Sequence, residues 1–280
     1  MTQACVVWSG VLLGAVSALG SCRPSAADTE ASGGPRAHLL HVWDFETGAA
    51  GEWTDYKLAR PGSLEIVGSP VRSGRFAAQF TLHRDDPIVS DGKRAELQID
   101  DVGKIGSGLD VWYGFSTRLP GGWEHDEQYE VLAQWKGKRD KDLGEASKSP
   151  ALALRLRRDD WYITNRWDPR PVTPDNSAPE ETLWRAPYEV ATWTDWVVHA
   201  RWSYGADGLL EIWKDGVRVV EKHGPNTYND RRGMYFKIGI YKPRWMKPVR
   251  YPSTVERRVV VHDEIRIGGP GATYADVAPG

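Results

Sequence analysis

The sequence predicts an all-β protein, a sandwich or jelly roll of antiparallel strands. Short runs of alternating apolar and polar residues recur along the chain, and turns rich in Gly or Pro separate them. No stretch of the sequence has the apolar spacing of a convincing amphipathic helix. Many short strands joined by such turns are typical of sandwiches and jelly rolls. No linker interrupts residues 39–268, so one domain is expected there, followed by a C-terminal tail at 269–280.

The predicted strands follow this alternation from one end of the domain to the other. Asp215-Gly216 lies between two of them and is a strong hairpin signal. Residues 168–187 contain five prolines and are expected to form a long loop. The strands are expected at residues 38–46, 64–67, 76–84, 93–99, 110–119, 129–136, 151–158, 161–167, 196–203, 209–214, 217–221, 234–242 and 257–267.

The N-terminal segment has the pattern of an export signal. An apolar run at residues 6–19 is too short to span a bilayer comfortably, and it ends in Leu19-Gly20-Ser21-Cys22, which resembles a bacterial lipobox. No Lys or Arg precedes Cys22, so the usual positive n-region is missing. We expect residues 1–22 to be a signal with Cys22 lipidated, and residues 23–38 to be a flexible tether. The protein is therefore expected to be exported, as a cell-surface or periplasmic lipoprotein or, alternatively, as a secreted protein.

Composition and absent motifs exclude several classes of function. A net charge of −2 argues against general attraction to nucleic acid or to membrane surfaces, so membrane association is expected only through the lipid anchor. The sequence has no G-x-S-x-G, no phosphate loop and no H-E-x-x-H. The acidic run at 124–127 follows Pro-Gly-Gly in a predicted loop, whereas a jelly-roll glycosidase would place its carboxylates on a strand face. A monomer is expected.

The strand at 234–242 has one apolar face and one face with reactive polar side chains. Met234, Phe236, Ile238 and Ile240 alternate with a face that carries Lys237 and Tyr241. Gly239 lies between these two side chains, which indicates that another molecule crosses the strand there. The simpler alternative is an ordinary polar outer face of a sandwich.

Polar side chains share one face of three other predicted strands. Arg94 and Glu96 alternate with apolar residues, and His199 and Arg201 do so in the strand at 196–203. In the strand at 129–136 the alternation places Gln134 and Lys136 on the face that also holds Glu130 and Leu132. The opposite face of that strand is expected to hold Tyr129, Val131, Ala133 and Trp135.

Several segments, in this order, resemble the polysaccharide lyase family that includes heparin lyase I and the glucuronan lyases. They are KRAE at 93–96, VLAQW at 131–135, WS at 202–203, IWKDG at 212–216 and YFKIGIY at 235–241. The last segment, with its K-x-G-x-Y core, is the most specific. The resemblance extends over most of residues 42–267.

The resemblance implies a concanavalin A-like β-jelly roll with a cleft across one sheet, and an enzyme of the carbon–oxygen lyase class. It implies β-elimination on an anionic, uronic-acid-containing polysaccharide, with no cofactor required. Tyr241 would act at the scissile bond, and Lys237, Gln134 and Arg94 would bind the uronate. Family members commonly carry a His two residues after the Gln, where this chain has Lys136. Either Lys136 or His199 is then expected to take that role.

Further candidates come from the same patterns. Glu96, Arg201, Trp135 and Trp245 are candidate substrate-binding residues. Glu46 in the first strand and Asp263 in the last are expected to be neighbours that hold a structural Ca²⁺, although two solvated carboxylates would give the same pattern. The alternative function is a lectin-like carbohydrate-binding module without catalysis. Its stacking platforms would be Trp112, Trp123, Trp135, Trp161, Trp167 and Trp245.

Overall fold

The structure is a computed structural model that describes residues 38–100, 109–174, 177–246 and 249–280. The predicted signal, its Cys22 and residues 23–37 of the predicted tether lie outside the described residues. Within the described ranges, no helix is long and apolar enough to cross a membrane.

Strands dominate the described residues, and the one α-helix is short. The elements are β1 (Leu39–Trp43), β2 (Asp55–Lys57), β3 (Leu64–Val67), β4 (Ala77–His83), β5 (Arg94–Ile99), β6 (Asp110–Arg118), β7 (Glu130–Lys138), β8 (Leu152–Arg157), β9 (Asp160–Arg166), β10 (Glu180–Pro187), β11 (Trp193–Arg201), β12 (Leu209–Lys214), β13 (Val217–His223), β14 (Arg232–Tyr241), β15 (Arg257–Gly268) and α1 (Tyr274–Val277).

These strands form two antiparallel sheets, which confirms the predicted all-β jelly roll. Sheet A has the order β13-β12-β11-β6-β15-β4-β3, and β1 also pairs with β15. Sheet B has the order β10-β9-β8-β7-β14-β5-β2. Side chains from both sheets, among them Phe80, Phe115, Trp135 and Phe236, are buried in one hydrophobic core. The strand orders mix early and late strands, so distant segments of the chain meet in each sheet.

Two strands that the sequence pattern missed are edge strands of sheet B. β2 is only three residues long, and β10 lies within the proline-rich segment predicted as a loop. An edge strand has one side without a hydrogen-bonded neighbour, and proline is tolerated there. β10 is largely exposed and ends at Pro187, so it shows no apolar alternation.

A β-bulge in β7 changes which residues face the core. Val131 pairs with Arg155 and Ala133 pairs with the next residue, Leu154, so Leu132 is an extra residue opposite β8. Leu132 and Ala133 are both buried in the core as a result. The predicted faces of β7 are therefore correct after the bulge and reversed before it.

Residues 269–280 contact sheet A, although they were predicted to be a tail beyond the domain. α1 begins after Thr273, whose side chain and Asp276 form a capping box. Val277 is fully buried, and its carbonyl oxygen lies so close to Gly114 of β6 that a Cβ there would be 1.8 Å away. Gly114 is therefore required for the close approach of this segment.

Candidate active site

A groove of about 930 Å³ crosses the face of sheet B that points away from the core. Side chains from β5, β7, β8, β9 and β14 line it, as do residues of the segment between β7 and β8. Among the residues that the structure describes, its lining contains twelve Lys or Arg residues and two Asp residues. The basic residues are Lys57, Arg94, Lys136, Lys138, Arg139, Lys141, Lys148, Arg155, Arg166, Arg232, Lys237 and Arg244. Such an excess of positive charge in a concave surface attracts polyanions.

Arg94, Glu96 and Gln134 form a buried hydrogen-bonded network at the floor of this groove. Arg94 Nη1 donates to Glu96 Oε2 at 2.8 Å, and Gln134 Nε2 donates to Glu96 Oε1. Arg94 Nη2 also donates to the carbonyl oxygen of Ser90 at 3.2 Å. Glu96 is 1% exposed and does not line the groove, so its prediction as a substrate-binding residue is wrong. Its carboxylate instead orients the two groups that do line the groove.

Tyr241 lies beside this network at the end of β14. The guanidinium carbon of Arg94 lies 4.1 Å from the centre of the Tyr241 ring. Burial raises the pKa of the Tyr241 phenol above its ordinary value, and the positive charge of Arg94 opposes this shift. The phenol is therefore neutral at neutral pH and can donate a proton.

Lys237 and Lys136 are two ammonium groups that lie close to one another in the groove. Lys237 is directly opposite Gln134 in the sheet, and its Nζ lies 5.4 Å from the centre of the Tyr235 ring. Lys136 Nζ donates to Ser147 Oγ at 3.4 Å. Burial lowers the pKa of Lys237 to about 8. Burial, together with the charges of Lys237 and Arg94, lowers the pKa of Lys136 to about 8 as well.

Gly239 does not clear space for a ligand, and that expectation is wrong. A Cβ at Gly239 would lie 2.2 Å from the carbonyl oxygen of Ala95 and 2.9 Å from Glu96 Cα. Its φ is +137°, a conformation that residues with a side chain rarely adopt. Gly239 therefore allows β14 to approach the backbone of β5, which keeps Tyr241 paired with Arg94.

Tyr129 lies in the groove and was missed as a site residue because the bulge in β7 reverses its face. The guanidinium carbons of Arg155 and Arg244 lie 5.1 Å and 5.9 Å from the centre of its ring. Simple alternation placed Tyr129 with the buried Trp135. No glycine or proline marks the bulge, so the sequence carries no clear signal for it.

His199 and Arg201 do not belong to the site, because β11 is in sheet A and the groove lies on sheet B. His199 is hydrogen-bonded to Asp110 and Glu211 and stacks on Trp112 at 4.0 Å between ring centres. Arg201 is exposed, and its Nε lies 3.6 Å from Asp110 Oδ2. His199 and Arg201 do share a polar face, as predicted, but this is the outer face of sheet A.

The predicted binding roles of Trp135 and Trp245 are also wrong. Trp135 is 1% exposed in the core between the sheets, and Trp245 is buried with its indole N–H donating to Ser253 Oγ at 3.0 Å. Trp161, one of the stacking platforms proposed for a lectin-like module, is fully buried. Among the described residues, those that line the groove include no tryptophan. Its aromatic side chains are tyrosines.

Glu46 and Asp263 accept hydrogen bonds from the segment between β3 and β4. Glu46 Oε1 accepts from the backbone N–H of Arg75 at 2.8 Å, and Asp263 Oδ2 accepts from that of Arg72 at 2.8 Å. Among the described residues, no group of three His, Cys, Asp or Glu side chains could hold a metal ion. A Ca²⁺ ion that bridges Glu46 and Asp263 stays a prediction.

Comparison with known proteins identifies the family. A family model described as polysaccharide lyase matches residues 45–266. A search of curated proteins finds no match.

Comparison with solved structures gives the same fold. The crystal structure of an endo-β-1,4-glucuronan lyase from the fungus Trichoderma reesei has a TM-score of 0.71 and 22% identity. The match covers 86% of this chain and 98% of that one. The family 7 alginate lyase A1-II′ in complex with substrate has a TM-score of 0.51 and 8% identity, covering 76% of this chain and 84% of that one. Alginate lyase AlyC3 in complex with dimannuronate has a TM-score of 0.50 and 11% identity. That match covers 70% of this chain and 76% of that one. At such low identities, these matches establish the fold.

Proposed function

The chain belongs to the polysaccharide lyase family and is a carbon–oxygen lyase acting on polysaccharides, and we propose that it cleaves uronic-acid-containing chains by β-elimination with Tyr241 as the proton-transfer residue. The observation that carries this proposal is the position of Tyr241. It lies under the Arg94 guanidinium in a groove where basic residues greatly outnumber acidic ones. The similarity to glucuronan and alginate lyases supports the same substrate class.

The positive groups of the groove suit the difficult step of this reaction. Elimination removes the proton on C5 of the uronate, next to a carboxylate, and the developing negative charge must be stabilised. Arg94 can pair with that carboxylate, the Gln134 amide can donate to it, and Lys237 adds a point charge. Glu96 holds Arg94 and Gln134 in place before the substrate binds.

The proton transfers need an acid and a base. The C5–H bond and the C4–O bond break, a C4=C5 double bond forms, and the leaving oxygen takes up a proton. Tyr241 keeps its proton at neutral pH because burial raises its pKa, so it is suited to protonate the leaving oxygen. Lys136, with a pKa lowered to about 8, is the candidate base at the position where a histidine was expected.

A single assay tests this proposal. The protein is incubated separately with glucuronan, alginate and heparin, and the ultraviolet absorbance of the unsaturated product is followed. We expect absorbance to rise with at least one polymer. Binding without absorbance would favour a carbohydrate-binding module, and new reducing ends without absorbance would indicate hydrolysis.

We further propose that the protein is exported and anchored through a lipidated Cys22. The support is the sequence alone, in which an apolar run ends at Leu19-Gly20-Ser21-Cys22 before a segment rich in Pro, Ser and Gly. Mass spectrometry of the membrane-fraction protein should find an acylated Cys22 at the mature N-terminus. A soluble mature protein that starts at another residue would contradict the proposal.

A further inference from the structure

A second cavity adjoins the groove on the same face of sheet B. Its volume is about 550 Å³, and it shares Tyr129, Arg155 and Arg244 with the groove. From this boundary it extends over β8, β9 and β10, away from Tyr241. The two cavities therefore form one continuous concave surface that is longer than the proposed cleavage site.

A row of directly paired residues connects the proposed cleavage site to the far end of this surface. Tyr241 pairs with Val131, and Val131 pairs with Arg155. Arg155 pairs with Tyr162, which in turn pairs with Arg185. Because neighbouring strands are about 4.8 Å apart, four such steps span ~19 Å. An extended polysaccharide that crosses the strands would follow this row.

Among the described residues, positive side chains outnumber negative ones in the lining of the second cavity, where Glu180 faces Arg155, Arg157, Arg185, Arg244 and Arg250. Arg155 and Arg166 both pair with one carboxylate, that of Glu180, at 3.1 Å and 3.0 Å. Arg155 is 6% exposed, and its Nε is buried without a hydrogen-bond partner. Glu180 is shared by two guanidinium groups and cannot neutralise both, so positive charge remains beside the cavity and suits the binding of another anion.

Additional charges and rings surround this guanidinium. Arg185 and Arg244 are exposed and line the cavity, and Arg185 Nε donates to Asp160 Oδ2 at 2.6 Å. The rings of Tyr129 and Tyr162 have centres 5.1 Å and 5.9 Å from the Arg155 guanidinium carbon. Tyrosine presents an apolar face and a hydroxyl, which suits the mixed surface of a sugar ring. The cavity thus combines cations with half-buried rings.

We propose that this second cavity is an anionic subsite that binds the carboxylate of another uronate of the polysaccharide being cleaved. The inference rests on the proposed function and makes it more specific. Such a subsite requires a substrate with uronates at more than one position along the polysaccharide. The second cavity would bind a uronate that is several sugars away from the scissile bond.

Arg185→Gln is the variant that tests the subsite, because Arg185 is exposed and its loss should not unfold the protein. Arg218→Gln is the matched control, since Arg218 is also an exposed strand arginine paired with carboxylates but lies in sheet A. The first readout is the ratio of kcat/KM for a long oligouronate to that for the shortest oligouronate cleaved. Arg185→Gln should lower this ratio by about 10-fold, the usual effect of one lost hydrogen bond to a charged group. Arg218→Gln should leave the ratio unchanged.

The second readout is binding without turnover, which separates this inference from the proposed function. Calorimetry with the long oligouronate compares the Tyr241→Phe variant with the double variant that carries Tyr241→Phe and Arg185→Gln. Binding of the long oligouronate should weaken about 10-fold in Arg185→Gln. Equal binding by the two proteins would overturn the subsite even if the parent is an active lyase. A sulfated polysaccharide without uronates that shows the same dependence on Arg185 would overturn the assignment to a carboxylate.

Discussion

The guanidinium carbon of Arg94 lies 4.1 Å from the centre of the Tyr241 ring, and the same guanidinium donates to Glu96. The cation over the Tyr241 ring is thus Arg94, and the Nζ of Lys237 lies over the Tyr235 ring instead. A fixed cation against a phenol stabilises any negative charge that develops on its oxygen. This arrangement joins carboxylate binding and proton transfer in one pair of side chains.

Tyr241→Phe should lower turnover by about 10²-fold or more, the scale usual for a general acid or base. The change removes only the hydroxyl, so the fold and the affinity for the polysaccharide should be retained. The measurement is kcat and KM from product absorbance on a polymer that the parent cleaves. Tyr235→Phe is the matched control, because Tyr235 is on the same face of the same strand, and it should retain most of the turnover. Near-parental turnover by Tyr241→Phe would show that the assignment is wrong.

Lys136→Ala should reduce kcat about as strongly as Tyr241→Phe if Lys136 is the base. Lys136→His should restore much of the loss, because imidazole is a base that works near neutral pH. Lys138→Ala is the control: Lys138 lines the groove from the same strand and lies 3.4 Å from Asp100, so its loss should raise KM more than it lowers kcat. A small effect of Lys136→Ala on kcat would transfer the role to Lys237, since His199 is in the other sheet.

Affinity for the polyanion should fall as the pH rises from 7 to 9. Lys136 and Lys237 have pKa values lowered to about 8. Each therefore carries its positive charge below this pH and loses it above, and a neutral amine no longer attracts a carboxylate. Calorimetry on Tyr241→Phe at several pH values measures the affinity without turnover. Adding Lys136→Arg should flatten the decrease, because arginine stays charged over the whole range. An affinity that is constant between these pH values would contradict the prediction.

Glu96→Gln should raise KM and lower kcat while the protein remains folded. The amide cannot neutralise Arg94, and it can accept from only one of the two side chains that now donate to the Glu96 carboxylate. Arg94 and Gln134 would then be less well oriented toward the substrate carboxylate. The scissile bond would be positioned less accurately, and the substrate would bind less tightly. Kinetics and a thermal melt on the same preparation separate a loss of catalysis from a loss of folded protein. Unchanged kinetics in Glu96→Gln would show that Arg94 and Gln134 need no such anchor.

Gly239→Ala should destabilise the protein strongly. The positive φ alone costs about 1–3 kcal/mol for a residue with a side chain, and the new Cβ would collide with the backbone of Ala95 and Glu96. Gly62→Ala is the control for the φ contribution, because Gly62 also has a positive φ, +84°, but has open space around it. Thermal or urea unfolding measures both. An equal loss of stability in the two variants would show that close packing between β14 and β5 contributes little.

Much of the fold could be predicted from the sequence because the two faces of most strands differ in polarity. Met234, Phe236, Ile238 and Ile240 are fully buried as their alternation predicts, and Lys237 and Tyr241 line the groove. Alternation assigns a side chain to a face, but it does not say which sheet a strand joins. His199 was therefore a candidate for the role of the missing family histidine, although its strand belongs to sheet A.

The remaining errors at the site come from strand pairing and packing that the alternation of residues does not encode. The extra residue in β7 reversed the predicted face of Tyr129, and bulges of this kind depend on packing rather than on a fixed sequence signal. Glu96 was correctly placed on the polar face, but its burial beneath Arg94 depends on long-range pairing between β5, β14 and β7. The second cavity depends on β10, whose exposed edge hides its alternation.

The groove lining also affects how the protein meets its substrate in solution. The whole chain carries a net charge of −2, yet twelve basic and two acidic residues of the described ranges line this one surface. The rest of the molecule therefore carries an excess of acidic groups, so positive and negative charge are unevenly distributed over the surface. An acidic polymer is repelled by most of the surface and drawn to sheet B, so encounters are oriented before any contact forms. This orientation weakens with ionic strength, since the Debye length falls to about 8 Å in physiological salt.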